Sequence, residues 1–98
     1  MAKKPSLYPE DVGCFICHNP YTEVHHIYPS SRRPISDREG CTVRLCAEHH
    51  RGLMGVHNDQ KLQDFFRRDC QIKWEKREGI DEPDHETFIA LMGRNYVL

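Results

Sequence analysis

The chain has 98 residues, 38% of them hydrophobic and 30% charged, with a formal net charge of -1. A chain this short sits near the lower limit for a self-sufficient core, so a metal or disulfide staple is expected. The bulk charge is not that of a general nucleic-acid binder, and no apolar run approaches the roughly 20 residues of a membrane span.

Residues 1–12, with Pro5 and Pro9, read as an extended tail ahead of a single domain over 13–98. Met1-Ala2-Lys3-Lys4-Pro5 has no apolar signal region, so a reducing, cytoplasmic location is expected. Five cysteines there read as metal ligands or core residues rather than as disulfides. Cys14-Phe15-Ile16-Cys17 suits a tight turn presenting two sulfurs. Residues 23–28 are β-branched and aromatic and read as a short strand, which the loop of residues 29–34 ends. Residues 42–45 alternate polar and apolar and predict a second strand, giving a hairpin-like pair with a long connection.

Residues 46–51 suit the start of a helix, which Gly52 and Gly55 interrupt. Asn58 or Asp59 is a candidate N-cap for a long helix running to about Glu78, with Gly79 ending it. Leu62, Phe65, Phe66, Cys70 and Trp74 follow helical spacing and form its core stripe. A final short helix over residues 86–92 carries Phe88, Ile89 and Met92. The two parts together give an α+β fold class.

Six of the seven histidines fall between His18 and His57, interleaved with Cys14, Cys17 and Cys46. Four-coordinate zinc favours two ligand pairs, each held by a short turn. Cys14-x-x-Cys17 and Cys46-x-x-His49 are such pairs and predict a structural zinc site. His18, and less so Cys41, compete with His49 for the fourth position. Cys70 lies on the apolar stripe and is expected to pack as a small hydrophobe. His18 and His85 are expected to face solvent.

His25 and His26 are adjacent on a strand, so they point to opposite faces. One can bind a metal while the other faces a neighbouring pocket as a general base. Glu23, two residues before His25, shares its face and is either a support for that ion or a solvated surface carboxylate. Arg32, Arg33, Arg44 and Arg51 surround the histidines and are candidates for holding phosphates, while Asp81, Glu82, Asp84 and Glu86 gather acid near the end.

The order Cys-x-x-Cys, Glu-Val-His-His-Ile, Leu-Cys-x-x-His-His and Gly-Val-His-Asn resembles the HNH endonucleases, particularly their small phage and prophage members. It covers about residues 13–58 and leaves the C-terminal helices of 59–98 outside the shared motif. The resemblance implies a small ββα-metal core braced by a zinc knuckle, in a protein that hydrolyses DNA phosphodiester bonds inside a bacterial host cell. It implies that His26 is the general base and that His25, His50 and His57 hold the catalytic divalent ion. Zinc, manganese, nickel or cobalt would suit three imidazoles better than magnesium, which prefers oxygen. DNA is the partner implied, with a second copy of the chain or a phage packaging or recombination protein beside it. The alternative function is a zinc-stabilised module that binds DNA or protein without cutting.

Two features depart from the family pattern. His50 and His57 are seven residues apart, which on one unbroken helix would separate them by about 10.5 Å along the axis. Gly52 and Gly55 are therefore expected to break the helix and fold His57 back toward His50. The family's asparagine would fall near Cys41, and no asparagine lies between His26 and His50. Another group must orient His26.

Overall fold

A computed structural model describes residues 4–28, 30–77, 82 and 84–97. Two strands, β1 (Glu23–His26) and β2 (Thr42–Leu45), pair antiparallel with Glu23 opposite Leu45 and His26 opposite Thr42. Among the described residues four α-helices accompany them: α1 (Arg33–Arg38), α2 (Ala47–Arg51), α3 (Gln60–Glu75) and α4 (His85–Met92). The fold is thus a small α+β arrangement. Among the described residues, no helix is long and apolar enough to cross a membrane.

The strand pair forms as the alternation demands. Val43 and Leu45 are buried, whereas Val24 and Arg44, paired across the strands, lie on the outer face. α3 lies over the inner side. Asp59 caps it by accepting from the backbone N–H groups of Lys61 (3.0 Å) and Leu62 (3.3 Å), and Phe66, Cys70 and Trp74 bury along one stripe. α4 adds Phe88 and Met92. The aromatic rings pack on one another, Tyr28 and Phe88 edge-on at 5.5 Å and Trp74 and Phe88 tilted at 5.7 Å between centroids. Such pairs contribute about 0.5–1.5 kcal/mol beyond area burial, which matters in a chain with so thin a core.

Several sequence expectations need correcting. Residues 4–12 carry no helix or strand, but they are not a free tail. Tyr8 is buried and its hydroxyl donates to Asp69 (2.6 Å), while Ser6 Oγ donates to the Thr42 carbonyl (2.6 Å). Met1 to Lys3 lie outside the described residues. β1 stops at His26, two residues early, because Ile27 and Tyr28 turn inward to the core. The stretch read as a loop holds a 3-10 turn (Ser30–Arg32) and then α1, with Pro34 in the first turn where its missing N–H is harmless; Pro29 lies outside the described residues. α3 ends at Glu75, and Glu78 and Gly79 likewise lie outside them. Phe65 is 51% exposed rather than in the core stripe; Phe66 takes the inward position.

Candidate metal centres

Each His/Cys cluster is assembled by the loop around α2. Cys46 precedes the helix in extended backbone, and its carbonyl accepts from His50 N–H (2.8 Å). The first turn then sets Cys46 and His49 on one side and His50 on the other. The Cys14–Cys17 turn closes through His18 N–H to the Cys14 carbonyl (2.8 Å), with His18 in the left-handed region at φ 64°.

Cys14, Cys17, Cys46 and His49 bring their ligand atoms within 4.8 Å of one another. Cys17 Sγ lies 3.7 Å from Cys46 Sγ, and His49 Nδ1 lies 3.7 Å from Cys14 Sγ and 3.3 Å from Cys46 Sγ. A tetrahedral zinc with ordinary bond lengths has sulfur–sulfur edges of about 3.8 Å and sulfur–nitrogen edges of about 3.5 Å. The donor set therefore fits a structural zinc, and the fourth position goes to His49. His18 is exposed and outside the cluster, and Cys41 is wholly buried at the start of β2. Burial opposes ionisation of Cys14, but backbone N–H groups of Cys46, Cys17 and Ile16 outweigh it and bring the thiol down to about 6. A thiolate, the form that binds metal, is thereby favoured.

His25, His50 and His57 form a second group, again with ligand atoms within 4.8 Å. α2 ends at Arg51 and a separate 3-10 turn (Val56–Asn58) carries His57, so the helix is broken between the two histidines. Gly52 and Gly55 permit the tight return. A Cβ on Gly55 would sit 2.6 Å from the Glu48 carbonyl oxygen and 2.9 Å from the His50 carbonyl carbon. Asn58 Nδ2 donates to the carbonyls of Arg51 (3.1 Å) and Gly52 (2.9 Å), satisfying the end of α2. The result places His57 Nε2 3.0 Å from His50 Nε2, close to the edge of about 3.0–3.4 Å that two imidazoles on one ion require.

Burial and neighbouring charge favour the neutral form of His25 and His57. His25 is 8% exposed and packs near Phe66, and burial chiefly, then His50, His57, His26 and Arg67, bring its pKa down to about 3. It is a neutral ring across the physiological range. Burial, then His50 and Arg51, also lower His57. His50 Nδ1 donates to Glu23 Oε1 (2.8 Å), leaving the lone pair on Nε2, the atom that faces His57. Arg51 holds the same carboxylate through Nε (2.9 Å) and Nη2 (2.5 Å), and His50 first, then Arg51, keep Glu23 below the usual carboxylate range. Of the two readings of Glu23, the supporting one matches its contacts. Since His57 is exposed, the three-imidazole group opens to one side, as a site with free coordination positions does.

His26 points to the other face of the sheet. It lines a shallow pocket of about 460 Å³ with Val24, Arg33, Pro34 and Asp37, and its Nε2 is 3.5 Å from Asp37 Oδ1. Of the arginines, Arg33 is exposed beside His26, and Arg44 lines a separate surface cleft with Tyr21 and Glu23. Arg51 is engaged by Glu23, and the Arg32 guanidinium lies against Gly93 at the end of α4. His85, expected to face solvent, is exposed but bonded to Glu75 (2.9 Å). Asp37 had no assigned role in the sequence; only its place in α1, unrecognised there, would have marked it. Comparisons with protein-family models, curated proteins and solved structures returned no match to this chain.

Proposed function

We propose that this chain is a small metal-dependent DNA endonuclease of the HNH type, with β1, β2 and α2 as a ββα-metal core and the Cys14/Cys17/Cys46/His49 site as its zinc brace. The observation that carries the reading is the convergence of His25, His50 and His57, from three separate segments, on one open point. Structural bracing alone would not need a second group of ligands open to solvent.

A divalent ion held there would neutralise the phosphate and the leaving 3′-oxygen. His26 accepts a proton from a water molecule, and that water's oxygen attacks phosphorus in line. The bond from phosphorus to the 3′-oxygen breaks, leaving a 5′-phosphate and, after protonation by solvent, a 3′-hydroxyl. Arg33, exposed beside His26, binds a phosphate oxygen through charge-assisted hydrogen bonds. Arg51 acts at one remove, by holding Glu23 on His50.

A second reading is a zinc-stabilised module that binds DNA or a phage packaging or recombination protein without cutting; the lack of an asparagine between His26 and His50 favours it. Nicking of supercoiled plasmid with manganese, nickel, cobalt, zinc or magnesium separates the two. The nuclease reading expects nicked circles with at least one ion and their loss in His26→Ala, with DNA affinity kept. Binding without nicking under every ion would establish the second reading instead.

A further inference from the structure

His26 and Asp37 meet on the outer face of the sheet in a way the fold builds deliberately. α1 carries Asp37 in its last turn and is pinned to the end of β1 by Ser36, whose side chain is wholly buried. Ser36 Oγ donates to the Tyr28 carbonyl (2.9 Å) and accepts from Tyr28 N–H (3.1 Å). The Ser36 carbonyl in turn accepts from Cys41 N–H (2.8 Å), at the start of β2. Tyr28 is only two residues beyond His26. The register of α1 is therefore locked to the strand end that carries the candidate base, and Asp37 Oδ1 comes to 3.5 Å from His26 Nε2.

We infer that Asp37 is the positioning residue of His26. Its carboxylate accepts the Nε2–H of the ring, fixes the ring's orientation and tautomer, and leaves the lone pair on Nδ1. The proton on Nε2 stays there throughout; Asp37 orients and does not itself take a proton. This role is the one the HNH pattern gives to an asparagine near Cys41, and Cys41 cannot fill it because its thiol is wholly buried. At 3.5 Å the two groups stand at ion-pair rather than hydrogen-bond distance, and a carboxylate that close still favours the proton on the nitrogen facing it. The catalytic consequence rests on the nuclease reading; the pairing itself does not.

The test compares zinc-loaded wild type with Asp37→Ala and the isosteric Asp37→Asn. The tautomer of His26 is read from the ring ¹⁵N shifts at alkaline pH, assigned by their loss in His26→Asn, and nicking is followed for kcat and KM. The expected result is an Nε2–H tautomer in wild type, a mixture of both tautomers in Asp37→Ala, and a kcat about 100-fold lower with KM little changed. Asp37→Asn, whose amide oxygen still accepts the N–H, recovers part of that loss. If no protein nicks but the tautomer responds to Asp37→Ala, the pairing stands and the nuclease reading falls. An Nδ1–H tautomer in wild type, or a tautomer indifferent to Asp37→Ala, overturns the inference whatever the activity.

Discussion

Replacing Glu23 by Ala should weaken the three-histidine site without touching the zinc brace. In the folded chain Glu23 Oε1 takes the Nδ1–H of His50 at 2.8 Å, and the same carboxylate is gripped by Arg51. With the carboxylate gone, His50 is free to rotate and to place its proton on Nε2, the atom required for the ion. Loss of such a supporting partner costs roughly 10–100-fold in metal affinity, or about 1.4–2.7 kcal/mol. The upper half is expected because two constraints vanish together, the hydrogen bond to His50 and the fixed position of Arg51. The assay is competition titration of cobalt or nickel into protein whose Cys/His site is already filled with zinc. Glu23→Gln should fall between wild type and Glu23→Ala, since an amide oxygen still accepts but its NH₂ also permits the wrong tautomer. Affinities equal within twofold for all three proteins would refute the argument that Glu23 sets the state of His50.

Cys17→Ser should release the structural zinc and unfold the domain at ordinary temperature, read by zinc content and a melting curve. Cys17 is exposed, so no core packing is lost, and the site's contribution of about 10 kcal/mol is comparable with a small domain's whole stability. Gly55→Ala presses a methyl group onto the Glu48 carbonyl and the His50 backbone and should cost about 1–3 kcal/mol in a urea titration, with weakened cobalt binding as His57 is displaced. His25 adds a pH dependence when the second site is empty. Its folded pKa, about 3, lies below the ordinary value of 6.5, so the unfolded chain binds the extra proton. Unfolding free energy should therefore be fully present above about pH 6.5 and fall on acidification, at a rate approaching 1.4 kcal/mol per pH unit. Urea midpoints between about pH 5 and 7 test this, and His25→Gln should reduce the slope to the smaller part that the lowered His57 contributes.

The ligand pairs were legible because they are local. Cys-x-x-Cys and Cys-x-x-His place two potential donors on one short turn by spacing alone, and two glycines between His50 and His57 announce a break before any geometry is known. The strand pair and α3 were legible through alternation and the Asp59 cap. α1 was not, because Arg32-Arg33-Pro34 carries no apolar periodicity, and its single signal is a proline fit for a first turn. Asp37 was lost with it. The inward packing of Tyr8 was equally hidden, since a lone aromatic between two prolines gives no period, and its partner Asp69 is 61 residues away. Phe65 and Phe66 both match a broad apolar stripe, and only the position of the neighbouring elements decides which one is buried.

The account stands most directly on whether cleavage follows the second ion. Protein carrying one zinc in the Cys/His site, and nothing at the histidines, is titrated with manganese or cobalt while supercoiled plasmid is nicked. The account predicts no nicking at the start, a rate that saturates as His25, His50 and His57 fill with one ion, and no rate at any ion concentration in His26→Ala. Nicking already complete with zinc in the first site alone, or undiminished in His26→Ala, would contradict it.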